Sequence, residues 1–311
     1  IIALFADAVQ LRPRPGVALA ILGEQGVGKG LMINNFGSLF GRHYLHITQS
    51  SHIVGKFNRH LAEGLIVFVD EALWAGDKQA ESVLKGLITE DRQMIEPKGC
   101  DAYAVKNHTR LFMASNNTWI VPAGMEERRF FVVKASNKYI QDTEYFGAIQ
   151  RQMDRGGREG LLNYLQQYNL SGIDLTNFPR TAELANQKLL SMDLFERFWY
   201  ATLQEGKLFV YSGDDNNPLR KVHWGDGVVR TDAFFQAFQA FIKDHPEKWF
   251  GGKEGFGIAI GKVVNNHSKK RIRGEMCYIF PPLQACRESF ETRTKQKWDW
   301  PDSNDDADFY D

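Results

Sequence analysis

Gly23-Glu24-Gln25-Gly26-Val27-Gly28-Lys29 decides how the rest of the chain is read. Its spacing is GxxxxGK. Glycines let backbone N–H groups turn inward around phosphate oxygens, and the lysine can reach the β- and γ-phosphates of a nucleotide. The surroundings fit. Val17 to Leu22 is a short apolar strand candidate, and Leu31, Met32, Phe36, Leu39 and Phe40 recur at helical spacing. A helix starting here offers its N-terminus to the same anion. Gly23, Gln25, Gly26, Val27, Gly28, Lys29, Gly30 and Leu31 are therefore the expected nucleotide contacts, with a nucleotide and Mg²⁺ as ligands. Gly30 stands where a Ser or Thr hydroxyl ordinarily ligates the metal. Magnesium is then expected to lean on phosphates, water and an acid at a strand end.

Further along, Leu65 to Val69 is a continuous apolar run that suits a fully buried parallel strand. It ends in Asp70-Glu71, and strand ends of this kind face the phosphate crevice. Asp70 is expected to hold the Mg²⁺ shell, through water, and Glu71 to orient or deprotonate an attacking water. A third buried run, Leu111 to Ala114, ends in Ser115-Asn116-Asn117. Asn116 there can bond a γ-phosphate or the lytic water. Arg128 and Arg129 follow, before a strand over Phe130 to Val133. A planar guanidinium suits spread negative charge. The alternative for each arginine is a salt bridge to Glu126 or Glu127.

Strands alternating with helices predict an α/β core with a largely parallel sheet. Expected elements are a helix end at Ile1 to Val9, a turn at Arg12 to Gly16, a strand at Leu45 to Ile47 and a helix at Leu73 to Ile88. Arg92 to Ile95 and Tyr103 to Val105 flank Pro97-Lys98-Gly99 and predict a hairpin. The expected domains are residues 1–180, then a mostly helical region over 181–301 and a loose acidic tail over 302–311. Thr181 to Leu203 is expected to be helical. Thr231-Asp232 is expected to cap a helix carrying Phe234, Phe235, Phe238 and Phe241, which reads as core. Another helix is expected from Phe256 to Val264. Lys269-Lys270-Arg271-Ile272-Arg273 then leads toward a two-stranded wing ending at Cys277 to Phe280.

The chain has 311 residues, with 38 Lys plus Arg balancing 38 Asp plus Glu. That excludes a uniformly basic nucleic-acid-coating protein but allows a local basic strip. Cys100, Cys277 and Cys286 lie far apart, so neither a disulfide framework nor a CxxC metal site is expected. An intracellular setting follows. No apolar run approaches the length of a membrane span. Ile1 to Ala8 has no signal-peptide features and no Met, which suggests a piece of a longer protein.

These elements, in this order, resemble the superfamily 3 helicases, a ring-forming branch of the AAA+ P-loop ATPases. They look most like the helicase part of phage and plasmid primase–helicases. By that resemblance, Gly23 to Lys29 is Walker A, Leu65 to Glu71 Walker B, Lys85 to Lys98 the B-prime region and Arg110 to Asn117 motif C. Trp119 to Gly124 with Glu127-Arg128-Arg129-Phe130 looks like the signature that follows. Pro281 to Arg287 and Phe290 to Pro301 resemble the tail. Gly30 departs from the general pattern, and the helical collar before the core is nearly absent. The resemblance implies ATP-driven translocation on single-stranded or forked DNA by a hexameric homo-oligomeric ring. It also implies a possible primase domain on the same polypeptide and a place in a bacterial host's cytoplasm.

The resemblance makes Arg128 or Arg129 an arginine finger for a neighbouring subunit. It puts Lys98 at the tip of a channel hairpin, gripping phosphate without reading a base. Lys106, His108 and Arg110 could be plain surface residues. The C-terminal part could be a winged-helix module, with Lys269, Lys270, Arg271 and Arg273 contacting DNA. Two other functions stay open. One is an ATPase that loads or remodels replication proteins without unwinding. The other is a nucleotide-binding structural protein whose hydrolysis has decayed.

Overall fold

The computed structural model describes residues 1–49, 51–71, 78–121, 128–214, 216–243, 245 and 249–301. By internal contacts it divides into two units, Ile1–Ser191 and Met192–Asp311.

In the first unit the helices are α1 (Ile2–Val9), α2 (Lys29–Gly37), α3 (Ser51–Val54), α4 (Lys78–Thr89), α5 (Thr143–Gln152), α6 (Arg158–Gln167) and α7 (Ala182–Ser191). The strands are β1 (Ala18–Leu22), β2 (Tyr44–Ile47), β3 (Ile66–Asp70), β4 (Arg92–Ile95), β5 (Tyr103–Lys106), β6 (Arg110–Ser115) and β7 (Phe130–Lys134). Five of them form one all-parallel sheet in the order β2-β3-β6-β1-β7. β6 is central, and β1 lies beside it, between β6 and the edge strand β7, so the glycine loop leaves an inner strand of the sheet.

Side chains alternate between the two faces with the two-residue period of a strand. Ala18, Ala20, Val67, Val69, Leu111 and Met113 pack on one face with Leu84, Leu87 and Ile88 of α4 and Leu184 of α7. Leu19, Ile21, Ile66, Phe68, Phe112 and Ala114 pack on the other with α1, α2 and α6. Both faces are covered, which is why these strands read as continuous apolar runs. Phe5 of α1 stacks on Phe36 of α2 with centroids 3.9 Å apart, and both rings meet Phe112. The same α1 carries a buried carboxylate, Asp7, which Arg110 pairs at 2.9 Å. Arg110 also donates to the Asp7 and Arg12 carbonyls, so the buried charges are compensated.

Helix α7 extends the first unit past the expected boundary at 180. Gln187, fully buried, accepts from the Ile120 and Val121 amides and donates to the Thr118 carbonyl. The expected helix over Thr181 to Leu203 is two helices. Asp193 breaks it by capping the next helix reciprocally with Glu196. Residues 72–77, at the start of the expected Leu73 helix, lie outside the described residues.

The second unit has helices α8 (Leu194–Glu205), α9 (Thr231–Ile242), α10 (Gly252–Val263) and α11 (Leu283–Thr294). Its strands are β8 (Lys207–Tyr211), β9 (Leu219–His223), β10 (Val228–Arg230), β11 (Ser268–Ile272) and β12 (Glu275–Ile279). It is therefore mixed rather than mostly helical. β8 and β9 form one hairpin, and β10-β12-β11 form an antiparallel sheet. Phe234 and Phe238 are core, packed with Phe195, Phe198 and Phe256. Thr231 is the first helical residue rather than the cap, and Asp232 is exposed and paired with Lys253. Past α11, Trp298 and Trp300 close over Tyr200.

Candidate functional site

The loop between β1 and α2 has the backbone that the glycine spacing anticipates. Gly26 and Gly28 both have φ +87°, a left-handed region open to glycine. At Gly28 a Cβ would also lie 2.5 Å from the Phe146 ring, and at Gly26 2.9 Å from Gln141 Cγ. The loop is thus backed by the segment after β7. Gln141 donates its amide to the Gly26 carbonyl at 3.0 Å, and Asn137 donates to Glu24 Oε1 at 2.6 Å. Gln25 and Gly26 are exposed, while Gly23, Val27, Gly30 and Leu31 are half-buried.

Lys29 opens α2 and is buried. Its ammonium donates to the Gly23 carbonyl at 2.6 Å, the Glu24 carbonyl at 2.8 Å and Asn116 Oδ1 at 2.9 Å. Burial holds its pKa below the usual lysine value, and nearby Asp70 partly offsets this. The loop therefore presents a desolvated cation held by three neutral oxygens, beside a helix N-terminus. That arrangement fits a phosphate chain.

Asp70 ends β3, two strands away, with its carboxylate about one-third exposed. It is less buried than its strand context suggested. Glu71 is exposed and has φ +58°, an uncommon backbone for a residue other than glycine. Its amide donates to Asp70 Oδ1 at 3.2 Å. At Gly30 the backbone is ordinary. A Cβ there would stand 3.9 Å from Asp70 Oδ2 and 3.7 Å from Asn34 Nδ2, in normal contact. The absent hydroxyl thus leaves a space that opens on Asp70. Among the described residues no group of three or more His, Cys, Asp or Glu side chains is placed to hold a metal. A Mg²⁺ held by one carboxylate and substrate phosphates needs no such group.

Two residues at this site carry no motif signal. His46, at the end of β2, lies with Nε2 3.6 Å from Asp70 Oδ2 and stacks on Phe68. Tyr44 donates to Asn34 Oδ1 at 2.5 Å, and burial, reinforced by Asp70, raises its pKa well above the usual tyrosine value. Both depend on β2 pairing with β3, which spacing alone cannot reveal.

Lys29, Asp70 and Asn116 thus come together. Arg128 and Arg129 do not join them. They stand at the start of β7, where the Arg129 carbonyl accepts from the Ala18 amide at the start of β1. The glycine loop leaves the opposite end of β1, about 17 Å away for a five-residue strand. Glu126 and Glu127 lie outside the described residues.

Lys98 is at an exposed turn between β4 and β5, as expected. The Cys100 amide bonds back to the Pro97 carbonyl, and Gly99 has φ +74°, so Lys98 and Gly99 are the corners of a type II turn. Asn58 braces the hairpin, donating to the Met94 carbonyl and accepting from the Glu96 amide. In the second unit Lys269, Lys270 and Arg271 are exposed on β11 itself, and Arg273 sits in the two-residue turn to β12. The run forms the first strand of that two-stranded hairpin and the turn after it. Its side chains alternate, so Lys269 and Arg271 share one face and Lys270 takes the other. Lys269 Nζ lies 4.8 Å over the Tyr278 ring.

Comparison with known proteins gives three findings. Residues 21–129 match a family of unknown function, DUF5906. The chain is 29% identical over 159 residues to a DNA primase-polymerase of Nitratiruptor phage NrS-1, a match covering 50% of this chain and 22% of that protein. The fold is similar to apo structures of the NrS-1 C-terminal region. One has a TM-score of 0.65 at 20% identity and another 0.64 at 19%, each covering 90% of this chain and 70% of the other. No described helix is long and apolar enough to cross a membrane.

Proposed function

We propose that this chain is the ATP-hydrolysing motor of a phage DNA replication protein, a helicase that moves on single-stranded DNA as a homo-oligomeric hexameric ring in a bacterial host's cytoplasm. The observation that carries this reading is the meeting of Lys29, Asp70 and Asn116 at the carboxyl edge of a parallel sheet, the edge where such sheets bind ligands. Similarity to a phage primase-polymerase supports a role in replication, with priming left to another part of the polypeptide. The helix pair α9–α10 followed by the β11–β12 hairpin supports a winged-helix reading of the second unit.

Lys29 exchanges its carbonyl partners for phosphate oxygens and offsets their charge. Bound Mg²⁺ would supply further charge neutralisation, with Asp70 as its protein-side support. Asn116, released from Lys29, turns its amide to the γ-phosphate or the incoming water. Glu71 takes the proton from that water as its oxygen bonds to the γ-phosphorus and the bond to the departing ADP oxygen breaks. Arg128 or Arg129 serves the site of the next subunit, because the sheet holds both away from their own loop.

The test is ATP hydrolysis with and without single-stranded DNA, together with unwinding of a forked duplex. The parent protein should do both and Lys29→Ala neither. A Lys29→Ala protein that turns over ATP at the parent rate would sink the assignment. Gly30 favours one second reading, an ATPase that loads or remodels proteins on DNA. DNA-stimulated hydrolysis without unwinding would select it.

A further inference from the structure

The glycine loop uses the carboxyl edge of the sheet. The amino edge holds a second concavity, a cleft of about 930 Å³. Its walls are the turn before β1, the end of α4, the base of the β4–β5 hairpin and the link into β6. Arg12, Arg14, Arg92, Lys106, His108 and Arg110 line it, against one acid, Asp91. The whole chain carries 38 cationic and 38 anionic side chains. The cleft is therefore a place where charge has been segregated.

Two of these cations have structural duties. Arg14 donates to the Leu87, Ile88 and Glu90 carbonyls at the end of α4, and Arg110 is held by Asp7. The others face solvent. Arg12, Lys106 and His108 are exposed and have no ion-pair partner among the described residues. Arg92 and Lys106 stand directly opposite each other in the hairpin register. Like charges so placed destabilise a strand pair. An anion lying across both would remove that cost.

We infer that this cleft binds the phosphate backbone of a single-stranded nucleic acid. The inference rests on the proposed reading that the chain acts on DNA, and adds a contact site remote from the nucleotide. The cations come from three separate stretches of chain along the cleft wall, which suits a row of phosphates. The walls between them are partly apolar. Leu11, on the rim, is 70% exposed with φ +51° and offers an apolar surface to an unstacked base or sugar. A duplex would present only its phosphates here. Arg92 and Lys106 also begin the hairpin whose turn carries Lys98, some 20 Å along the strand. Phosphate contacts carry no base preference.

The experiment is fluorescence anisotropy of a labelled dT20 oligonucleotide with the 311-residue protein, across a salt series. The variants are the parent, Arg12→Glu with Lys106→Glu, and Arg12→Lys with Lys106→Arg, each checked by thermal melting. The reversed pair should lose about tenfold or more in affinity. Its log–log salt slope should fall by about 1.4, since each phosphate contact on a single strand contributes about 0.7. The charge-conserving pair should bind like the parent. Parent-like affinity and slope in the reversed pair would overturn the site, as would a binding loss confined to Lys98→Ala. Tighter binding of poly-glutamate or of a 20-base-pair duplex through the same residues would also overturn it. ATP hydrolysis in the same preparations separates the two ideas. A hydrolysing protein without cleft-dependent binding removes only the cleft, whereas parent-rate turnover by Lys29→Ala removes only the motor.

Discussion

Asp70 and Glu71 are neighbours in sequence with different surroundings, and their substitutions should part accordingly. Asp70 stands beside His46 and near Lys29, whereas Glu71 is exposed on a left-handed backbone. Glu71→Gln keeps the size and loses the base. ATP should still bind while turnover falls by ~10²-fold or more, measured by steady-state hydrolysis beside fluorescent-nucleotide binding. Asp70→Asn should instead weaken Mg²⁺-dependent binding, and equal binding defects in both would contradict the division. Gly30 permits the opposite kind of change. A side chain there meets Asn34 and Asp70 at ordinary contact distance, and helix interiors favour Ser over Gly. Gly30→Ser should fold normally and lower the Mg²⁺ concentration needed for half-maximal hydrolysis severalfold. An unchanged Mg²⁺ titration would show that the metal does not approach this position.

At the scale of elements, one carboxylate gathers three of the hydrogen bonds that hold the segment after α11. Glu291 of α11 accepts from the Lys297 ammonium at 2.5 Å, the Trp298 amide at 3.2 Å and the Trp300 indole at 3.0 Å. Burial alone would raise its pKa, but these bonds outweigh it and hold the group below its ordinary 4.5. A carboxylate depressed by folding stabilises the fold above its unfolded pKa, and that contribution is lost as pH falls through the folded value. Docking of Trp298 and Trp300 should thus be constant above about pH 4.5 and weaken below it, read as a red shift in tryptophan emission. Glu291→Gln should shift the emission at neutral pH and flatten the profile; a parent-like titration in that variant would refute the role.

The same scale shows what the sequence could tell. β1, β3, β6 and β7 are legible because burial on both faces writes an unbroken apolar run. The β8–β9 hairpin is not, since Leu219-Arg220-Lys221-Val222-His223 is dominated by polar residues. The break before α8 was available in Asp193-x-x-Glu196, a capping box masked by the Leu and Phe periodicity running through it. At the site, Lys29, Asp70 and Asn116 announce themselves by motif. His46, Gln141 and Phe146 reach it only through strand pairing and chain return, which no local pattern encodes.

At the scale of the whole molecule, the proposed motor would divide each hydrolysis site between two chains. The glycine loop and the Arg128–Arg129 pair leave opposite ends of adjacent parallel strands, β1 and β7. One copy cannot bring them together without dismantling its sheet. Arg129→Ala and Lys29→Ala proteins should each hydrolyse poorly alone, and mixing them should restore part of the activity, because some junctions then pair an intact loop with an intact arginine. Absence of recovery between proteins shown to exchange subunits would exclude action across a junction.

β6 has a different consequence. It starts at Arg110 in the basic cleft and leads to Asn116, the partner of Lys29, a run of about 20 Å. Pairing on both sides, with β3 and with β1, makes it a stiff rod. Whatever free energy a triphosphate adds to the grip on a strand at one end, the strand must return to the triphosphate at the other. The two affinity ratios, each measured by saturating one ligand and titrating the other, then have to be the same number.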